Sequence, residues 1–162
     1  MPDYIYLQAI GQDSHRFSED KKRPLVLGGI IIPDEIGLAG NSDADVILHA
    51  LTNALSGLST EVILGPVADE MCRKGITDSR EYVRKALATL GTIELLHLSF
   101  TVEGKRPKLY PYLSQIRSAV AELTGLSSES VAITATSGEG LTAFGRGEGI
   151  QVFCLASARY LL

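Results

Sequence analysis

The hydrophobic pattern opens with Tyr4 to Ile10, rich in β-branched and aromatic residues, which predicts a strand running into the polar stretch Gly11-Gln12-Asp13-Ser14-His15. Alternate side chains of an extended chain share a face, so Asp13 and His15 are expected to point the same way just past the strand end. After a charged loop over Ser18 to Arg23, Leu25 to Ile32 predicts a strand interrupted by Gly28 and Gly29, followed by a turn over Pro33 to Gly37. The polar loop beginning at Leu38 then leads into a helix expected to start near Asp43, with Ser42 as N-cap and Asp45 as the acid three residues on. Ile47, Leu51, Ala54, Leu55 and Leu58 fall on one stripe of that helix. His49 falls roughly opposite, beside Asp45, Thr52 and Asn53.

The stretch Ser59 to Gly75 has no clear period: Val62 to Leu64 reads as a short strand or a loop, and Ala68 to Arg73 as a helical turn. Asp78 opens a helix to about Leu90, with Tyr82, Val83, Ala86, Leu87 and Leu90 on its apolar face and Gly91 as a stop. Thr92 to Val102 is the longest predicted strand, in which His97 is expected to be a packed or edge-exposed histidine. The proline-bracketed turn Arg106 to Pro111 leads into a helix ending at Gly125, with Leu113, Ile116, Val120, Ala121 and Leu123 at helical spacing. Val131 to Ser137 reads as a strand, Gly138 to Gly149 as a glycine-rich loop, and Ile150 to Leu162 as the last strand or strand pair. The order predicts an α+β fold: one domain over residues 1–162, a two-layer sandwich of a mixed sheet with helices on one face.

Composition narrows the function. With 162 residues, 45% of them hydrophobic, the chain suffices for one sizeable core. A net charge of −4 and no basic run longer than Lys21-Lys22-Arg23 argue against a nucleic-acid or membrane-surface partner. No apolar run approaches the roughly 20 residues that span a bilayer, and the opening residues lack the pattern of a signal peptide. A cytoplasmic protein is expected. Cys72 and Cys154 lie far apart in dissimilar contexts and indicate neither a disulfide framework nor a zinc knuckle.

Two groups carry candidate chemistry. Asp13, His15 and His49 offer one carboxylate oxygen and two imidazole nitrogens, a set that suits zinc with a fourth position open. Asp13 capping a turn and His49 facing solvent is the plainer alternative. The glycine-rich loop lacks the Gly-Lys-Ser/Thr of a P-loop and precedes a strand, which excludes Walker and dinucleotide motifs. Its amides suit phosphate oxygens and Glu139 a hard divalent ion; a flexible β-hairpin loop is the alternative.

Taken jointly, Gly11-Gln-Asp13-Ser-His15, Asn41-Ser-Asp43-Ala-Asp45-Val-Ile-Leu-His49, Asp78-Ser79-Arg80, Arg106-Pro-Lys-Leu-Tyr110 and Ala135 to Gly149 resemble, in order and spacing, the 2-C-methyl-D-erythritol 2,4-cyclodiphosphate synthases over essentially the whole chain. The resemblance implies cyclisation of 4-diphosphocytidyl-2-C-methyl-D-erythritol 2-phosphate with release of CMP, in homotrimers with interfacial active sites. It makes Asp13, His15 and His49 the zinc ligands, and Glu139 the ligand of magnesium or manganese. Asn41, Ser42, Ser137 and Glu139 stand at catalytic positions. Thr136 and Ser137 match the hydroxyl pair beside the cytidine diphosphate, and Gly104 with Pro107, Lys108, Leu109 and Tyr110 the segment enclosing the cytosine. Arg146 matches an arginine near the trimer axis, where a cavity can hold an isoprenoid diphosphate.

Four features depart from the family pattern. Asn41 stands where the family usually has histidine, Ser137 where it has threonine, and Val62-Ile63-Leu64-Gly65 where it has Gly-Asp-Ile-Gly; Asp69 or Glu70 is a candidate substitute for that missing acid. The aromatic near the axial arginine comes one position late, as Phe144. The alternatives are a non-catalytic trimeric module binding a nucleotide or isoprenoid diphosphate, and a zinc phosphohydrolase.

Overall fold

The computed structural model describes residues 3–162, so Met1 and Pro2 of the expected domain lie outside the described residues. Its centre is a four-stranded sheet in the order β1-β6-β4-β5, formed by β1 (Tyr4–Arg16), β4 (Glu94–Glu103), β5 (Val131–Thr136) and β6 (Gly149–Leu161). Strand β6 pairs antiparallel with β1 and β4, and β4 pairs parallel with β5, so the sheet is mixed as the pattern predicts. Strands β2 (Pro24–Leu27) and β3 (Ile30–Ile36) form a separate antiparallel hairpin around Gly28 and Gly29, both at positive φ. The helices are α1 (Val46–Ser59), α2 (Pro66–Arg73), α3 (Ser79–Leu87) and α4 (Leu113–Thr124).

The core is a single cluster in which Leu98, Phe100, Val102, Val152, Cys154 and Ala156 from the sheet meet Ile47, Leu51 and Leu55 of α1 and Ile116 and Val120 of α4. Residues alternating with these along the strands are exposed, among them Tyr6, Ile10, Phe153 and Leu155. Helix α1 lies directly on β1 because the seam is small. A Cβ on Gly11 would overlap the Ala50 carbonyl oxygen and the Ala54 amide nitrogen, and one on Gly57 would come within 2.9 Å of the Ala9 Cβ. Among the described residues no helix is long and apolar enough to cross a membrane.

Several expectations change. Strand β1 continues to Arg16, with Asp13 opposite Val152 and His15 opposite Ile150, so the two residues lie within the strand, where pairing with β6 overrides their polar composition. The expected turn at Pro33 to Gly37 is an irregularity inside the hairpin: Leu25 pairs with Ile32 but Pro24 with Ile36, and the residues between loop out with Asp34 at φ 61°. The first helix starts at Val46. Residues 42–44 fold instead into consecutive turns in which Ser42 Oγ accepts from the Ala44 N–H and Asp43 Oδ1 from the Asp45 N–H.

Asp45 is the N-cap, and it accepts from the N–H groups of Ile47 and Leu48 and, across the fold, of Gly28 and Gly29. Burial pushes its carboxyl up to about 6 against the pull of those amides. Helix α3 ends at Leu87, short of the expected Leu90, and Val62 to Leu64 form no strand. The glycine-rich loop is not a hairpin, because β4 lies between β5 and β6. It crosses the end of the sheet, opening with a 3-10 turn over Gly138–Gly140. His97 is exposed beside an irregularity in the β4–β6 register.

Candidate functional site

The close α1–β1 seam brings His49 onto the end of β1. Oδ2 of Asp13 is 2.8 Å from Nε2 of His15 and 3.1 Å from Nδ1 of His49, and those two nitrogens are 3.1 Å apart. Four-coordinate bonds of about 2.0 Å place ligand atoms roughly 3.3 Å from one another, so this triangle has the dimensions of one face of a metal tetrahedron. These three residues are a candidate metal-binding triad. His15 Nδ1 lies 2.7 Å from the Ala39 carbonyl oxygen and donates to it, which leaves Nε2 to face the cluster.

Electrostatics agree with a cation site. Burial favours the neutral acid of Asp13, yet hydrogen bonds and charge from His15 and His49 in their protonated forms bring its pKa down to about 2. For His15, burial opposes the cation, and Asp13 outweighs it, holding the pKa above the ordinary 6.5. His49 is buried, at 8% exposure, and does not face solvent as its place on the helix predicts. The turn before α3 covers that side of α1: the Asp43 N–H donates to Thr77 O, and Ser79, fully buried, puts its Oγ 2.9 Å from His49 Nε2. Ser42 Oγ is 3.3 Å from the same nitrogen, and Tyr82 packs alongside the ring with centroids 6.0 Å apart.

A second site lies at the same end of the sheet. Gly104, Pro107, Lys108, Leu109 and Tyr110 line a cavity of about 280 Å³ together with Thr136 and Ser137, close to the lower bound of small-molecule pockets. Arg106, between them, also lines the cavity, and its guanidinium stacks 3.9 Å from the Phe17 ring centroid and pairs with Glu35 at 3.4 Å, anchoring the segment. Thr136 Oγ1 accepts from the Gly138 N–H. The Ser137 hydroxyl donates to Glu139 Oε1 at 3.1 Å, and Glu139 is exposed with φ at 49°.

The two groups share one end of the sheet, and Ile150, the register partner of His15, lines the cavity. Ser14 pairs with Gln151, Gln151 with Glu103, and Glu103 with Thr136, so one row of the sheet joins them. Three strand spacings put Ser14 and Thr136 about 14 Å apart. Glu139, three residues past Thr136, is not among the groups whose ligand atoms lie within 4.8 Å of one another at the triad. Arg146 is exposed and paired with Glu148 at 3.1 Å, while Phe144 lines a cavity of about 210 Å³ with Ser14, His15 and Arg16. Asn41 is exposed on the loop beside the triad.

A family model described as the YgbB family matches residues 7–159. The chain belongs to the YgbB family. A relative from Chlamydia muridarum, named 2-C-methyl-D-erythritol 2,4-cyclodiphosphate synthase, is 51% identical over 157 residues, covering 95% of this chain and 88% of the relative. One from Chlamydia felis with the same name is 46% identical over 157 residues, covering 95% and 89%. A solved cyclodiphosphate synthase in a CDP-bound form superposes with a TM-score of 0.81 at 30% identity, covering 93% of this chain and 98% of that one. The bifunctional IspDF of Campylobacter jejuni gives a TM-score of 0.89 at 28% identity; the chain covers 98% of itself and spans 43% of that longer protein.

Within this YgbB member, Asp69 and Glu70 sit exposed on α2, and Glu70 is held by Arg73 and by Lys74 at 3.2 Å, away from the triad. Sequence reasoning missed Ser79 and Ala39 as partners of the two histidines, and Asp43 as the partner of Ser79. Only the repeated small residues at Ala50, Ala54 and Gly57, opposite Ala9 and Gly11, signal where α1 touches β1. No local pattern reveals that Ser79 meets His49 from 30 residues away.

Proposed function

We propose that the protein is a metal-dependent 2-C-methyl-D-erythritol 2,4-cyclodiphosphate synthase, which closes 4-diphosphocytidyl-2-C-methyl-D-erythritol 2-phosphate to the cyclic diphosphate and releases CMP in the non-mevalonate route to isoprenoid precursors. The observation that carries this reading is the sharing of one sheet end by the triad and the 104–110/136–137 cavity, in a chain 51% identical to a protein of that name.

Asp13, His15 and His49 would hold zinc, and Glu139 a magnesium or manganese ion. The ions supply charge neutralisation and Lewis acidity on the diphosphate when bound. Gly104, Pro107, Leu109 and Tyr110 enclose the cytosine, with Lys108 as the nearby cation. The Thr136 and Ser137 hydroxyls and the amides of the glycine-rich loop hold the diphosphate, and Asn41 and Ser42 orient the 2-phosphate. An oxygen of that phosphate attacks the β-phosphorus as the bond from the β-phosphorus to the bridging oxygen of CMP breaks. The attacking group is already an anion and CMP leaves as one, so positioning replaces a general base.

About 14 Å separates the β1 and β5 ends of that row, so the triad and the Thr136 and Ser137 hydroxyls are too far apart for one diphosphate held by both. The reading therefore includes a homotrimer in which the triad of one copy faces the cavity of the next, a head-to-tail contact that closes as a ring. The exposed apolar face of the sheet supports it: Tyr6 and Ile10 are each 67% exposed, and Phe153 and Leu155 each 40%. The helix layer and this sheet make the two-layer sandwich of a single domain. Arg146 and Phe144 would lie near the trimer axis, beside a cavity suited to an isoprenoid diphosphate. The compartment in this reading is the cytoplasm.

Phosphorus NMR of the reaction tests the function. A cyclic diphosphate with equimolar CMP is expected in the presence of zinc and magnesium. Unchanged substrate would leave a binding module, and linear phosphates a hydrolase.

A further inference from the structure

We propose that Ser79 and Asp43 are positioning residues that hold His49 in the tautomer protonated on Nε2, reserving the Nδ1 lone pair for the metal. The proposal rests on the reading of Asp13, His15 and His49 as metal ligands and concerns groups outside that set.

The direction of the protons follows from the acceptors. The Ser79 hydroxyl donates to Asp43 Oδ1, and the Ser79 backbone N–H donates to Asp43 Oδ2 at 3.0 Å. Oδ1 also accepts from the Asp45 N–H at 3.1 Å, so both carboxylate oxygens are committed as acceptors. A serine has one proton to give, and it is spent on Asp43. What the Ser79 oxygen turns to His49 Nε2, 2.9 Å away, is a lone pair, so Nε2 must bring the proton. The neutral ring then has no proton on Nδ1, the nitrogen 3.1 Å from both Asp13 Oδ2 and His15 Nε2. Ser42 Oγ, farther off at 3.3 Å and already accepting from the Ala44 N–H, is a second acceptor for the same proton.

The opposite chain of donors would defeat the site. If Ser79 gave its proton to Nε2, the neutral ring would carry hydrogen on Nδ1 and point it at the place a metal must occupy. Asp43→Asn puts an amide NH2 in place of one of the two acceptor oxygens. With its oxygen on the Ser79 N–H, the NH2 faces the Asp45 N–H and the Ser79 hydroxyl, and the hydroxyl, no longer able to give its proton to residue 43, turns it to His49.

Two measurements decide the matter. In the metal-free wild type, nitrogen-15 correlation spectra of the histidine rings are expected to show His49 protonated on Nε2; protonation on Nδ1 would overturn the proposal without any variant. Zinc affinity by competition with a chromophoric chelator is expected to fall about 10–100-fold in Asp43→Asn and Ser79→Ala, with the His49 resonances of Asp43→Asn moving to the Nδ1–H pattern. Melting temperatures of the metal-free proteins separate this from mere loosening, which lowers stability and leaves the tautomer unchanged. A wild type that takes up no zinc overturns the metal reading itself. A wild type that binds zinc, with both variants equal to it in affinity, overturns this proposal alone.

Discussion

A Cβ on Gly11 would overlap the backbone carbonyl oxygen of Ala50, so α1 can lie on β1 only because residue 11 has no side chain. The same approach sets His49, one residue before Ala50, against Asp13 and His15. Gly11→Ala must push the helix off the strand, since the obstructing atoms are backbone. The expected cost is about 3 kcal/mol or more, together with loss of zinc binding, measured by urea denaturation and chelator competition. A variant that keeps both would show that the seam does not set the site.

Much of this arrangement was legible in the sequence because it is periodic. The strands, the apolar stripe of α1 and the mixed sheet follow from alternation and helical spacing, and Asp13 and His15 share a face because they stand two positions apart on a strand. What was not legible is what other elements impose. Asp45 displaces Ser42 as the N-cap because the hairpin at Gly28 and Gly29 brings two further N–H groups to its carboxylate. His49 is buried because the turn before α3 closes over a helix face that reads as polar. The cavity residues at 104–110 and 136–137 meet because β4 and β5 pair in parallel, a long-range contact that leaves no local pattern.

Zinc affinity is expected to depend on pH through His15. Its proton sits on Nε2, facing Asp13, because Nδ1 is occupied by Ala39; the metal must displace it. With the pKa raised above 6.5, affinity falls as pH drops through that raised value, by about tenfold per pH unit for one proton released. For the metal-free protein the sign is different. The His15 contribution to stability is complete below 6.5 and lost as pH rises through the folded pKa, while that of Asp13 is complete above 3.8 and lost as pH falls towards 2. The pair therefore supports the metal-free fold best between 3.8 and 6.5. Chelator competition and thermal melts at a series of pH values check both halves; an affinity flat from pH 5 to 8 would remove His15 from the ligand set.

Asn41 gives a test of where the 2-phosphate sits. Asparagine donates a hydrogen bond but carries no charge, whereas histidine at this exposed position titrates near its ordinary pKa. Asn41→His is expected to raise kcat/KM for the cytidine diphosphate substrate several-fold below about pH 6.5 and to leave it near the wild-type value above pH 8. The readout is the pH profile of CMP release. Profiles of variant and wild type that superimpose would place residue 41 away from the phosphate.

A site shared between the triad of one copy and the 104–110/136–137 cavity of the next predicts complementation between two dead proteins. His49→Ala removes a metal ligand but leaves the cavity, and Glu139→Ala disables the cavity side but leaves the triad. Each alone is expected to release CMP at least about 100-fold more slowly than wild type. If every site is built from the triad of one copy and the cavity of the next, an equal mixture, dissociated and reassembled, places an intact triad beside an intact cavity in about a quarter of the sites. About a quarter of the wild-type rate should return, and only after reassembly. Mixing that restores nothing, although mass spectrometry shows mixed trimers, would mean that each chain works with its own triad and cavity.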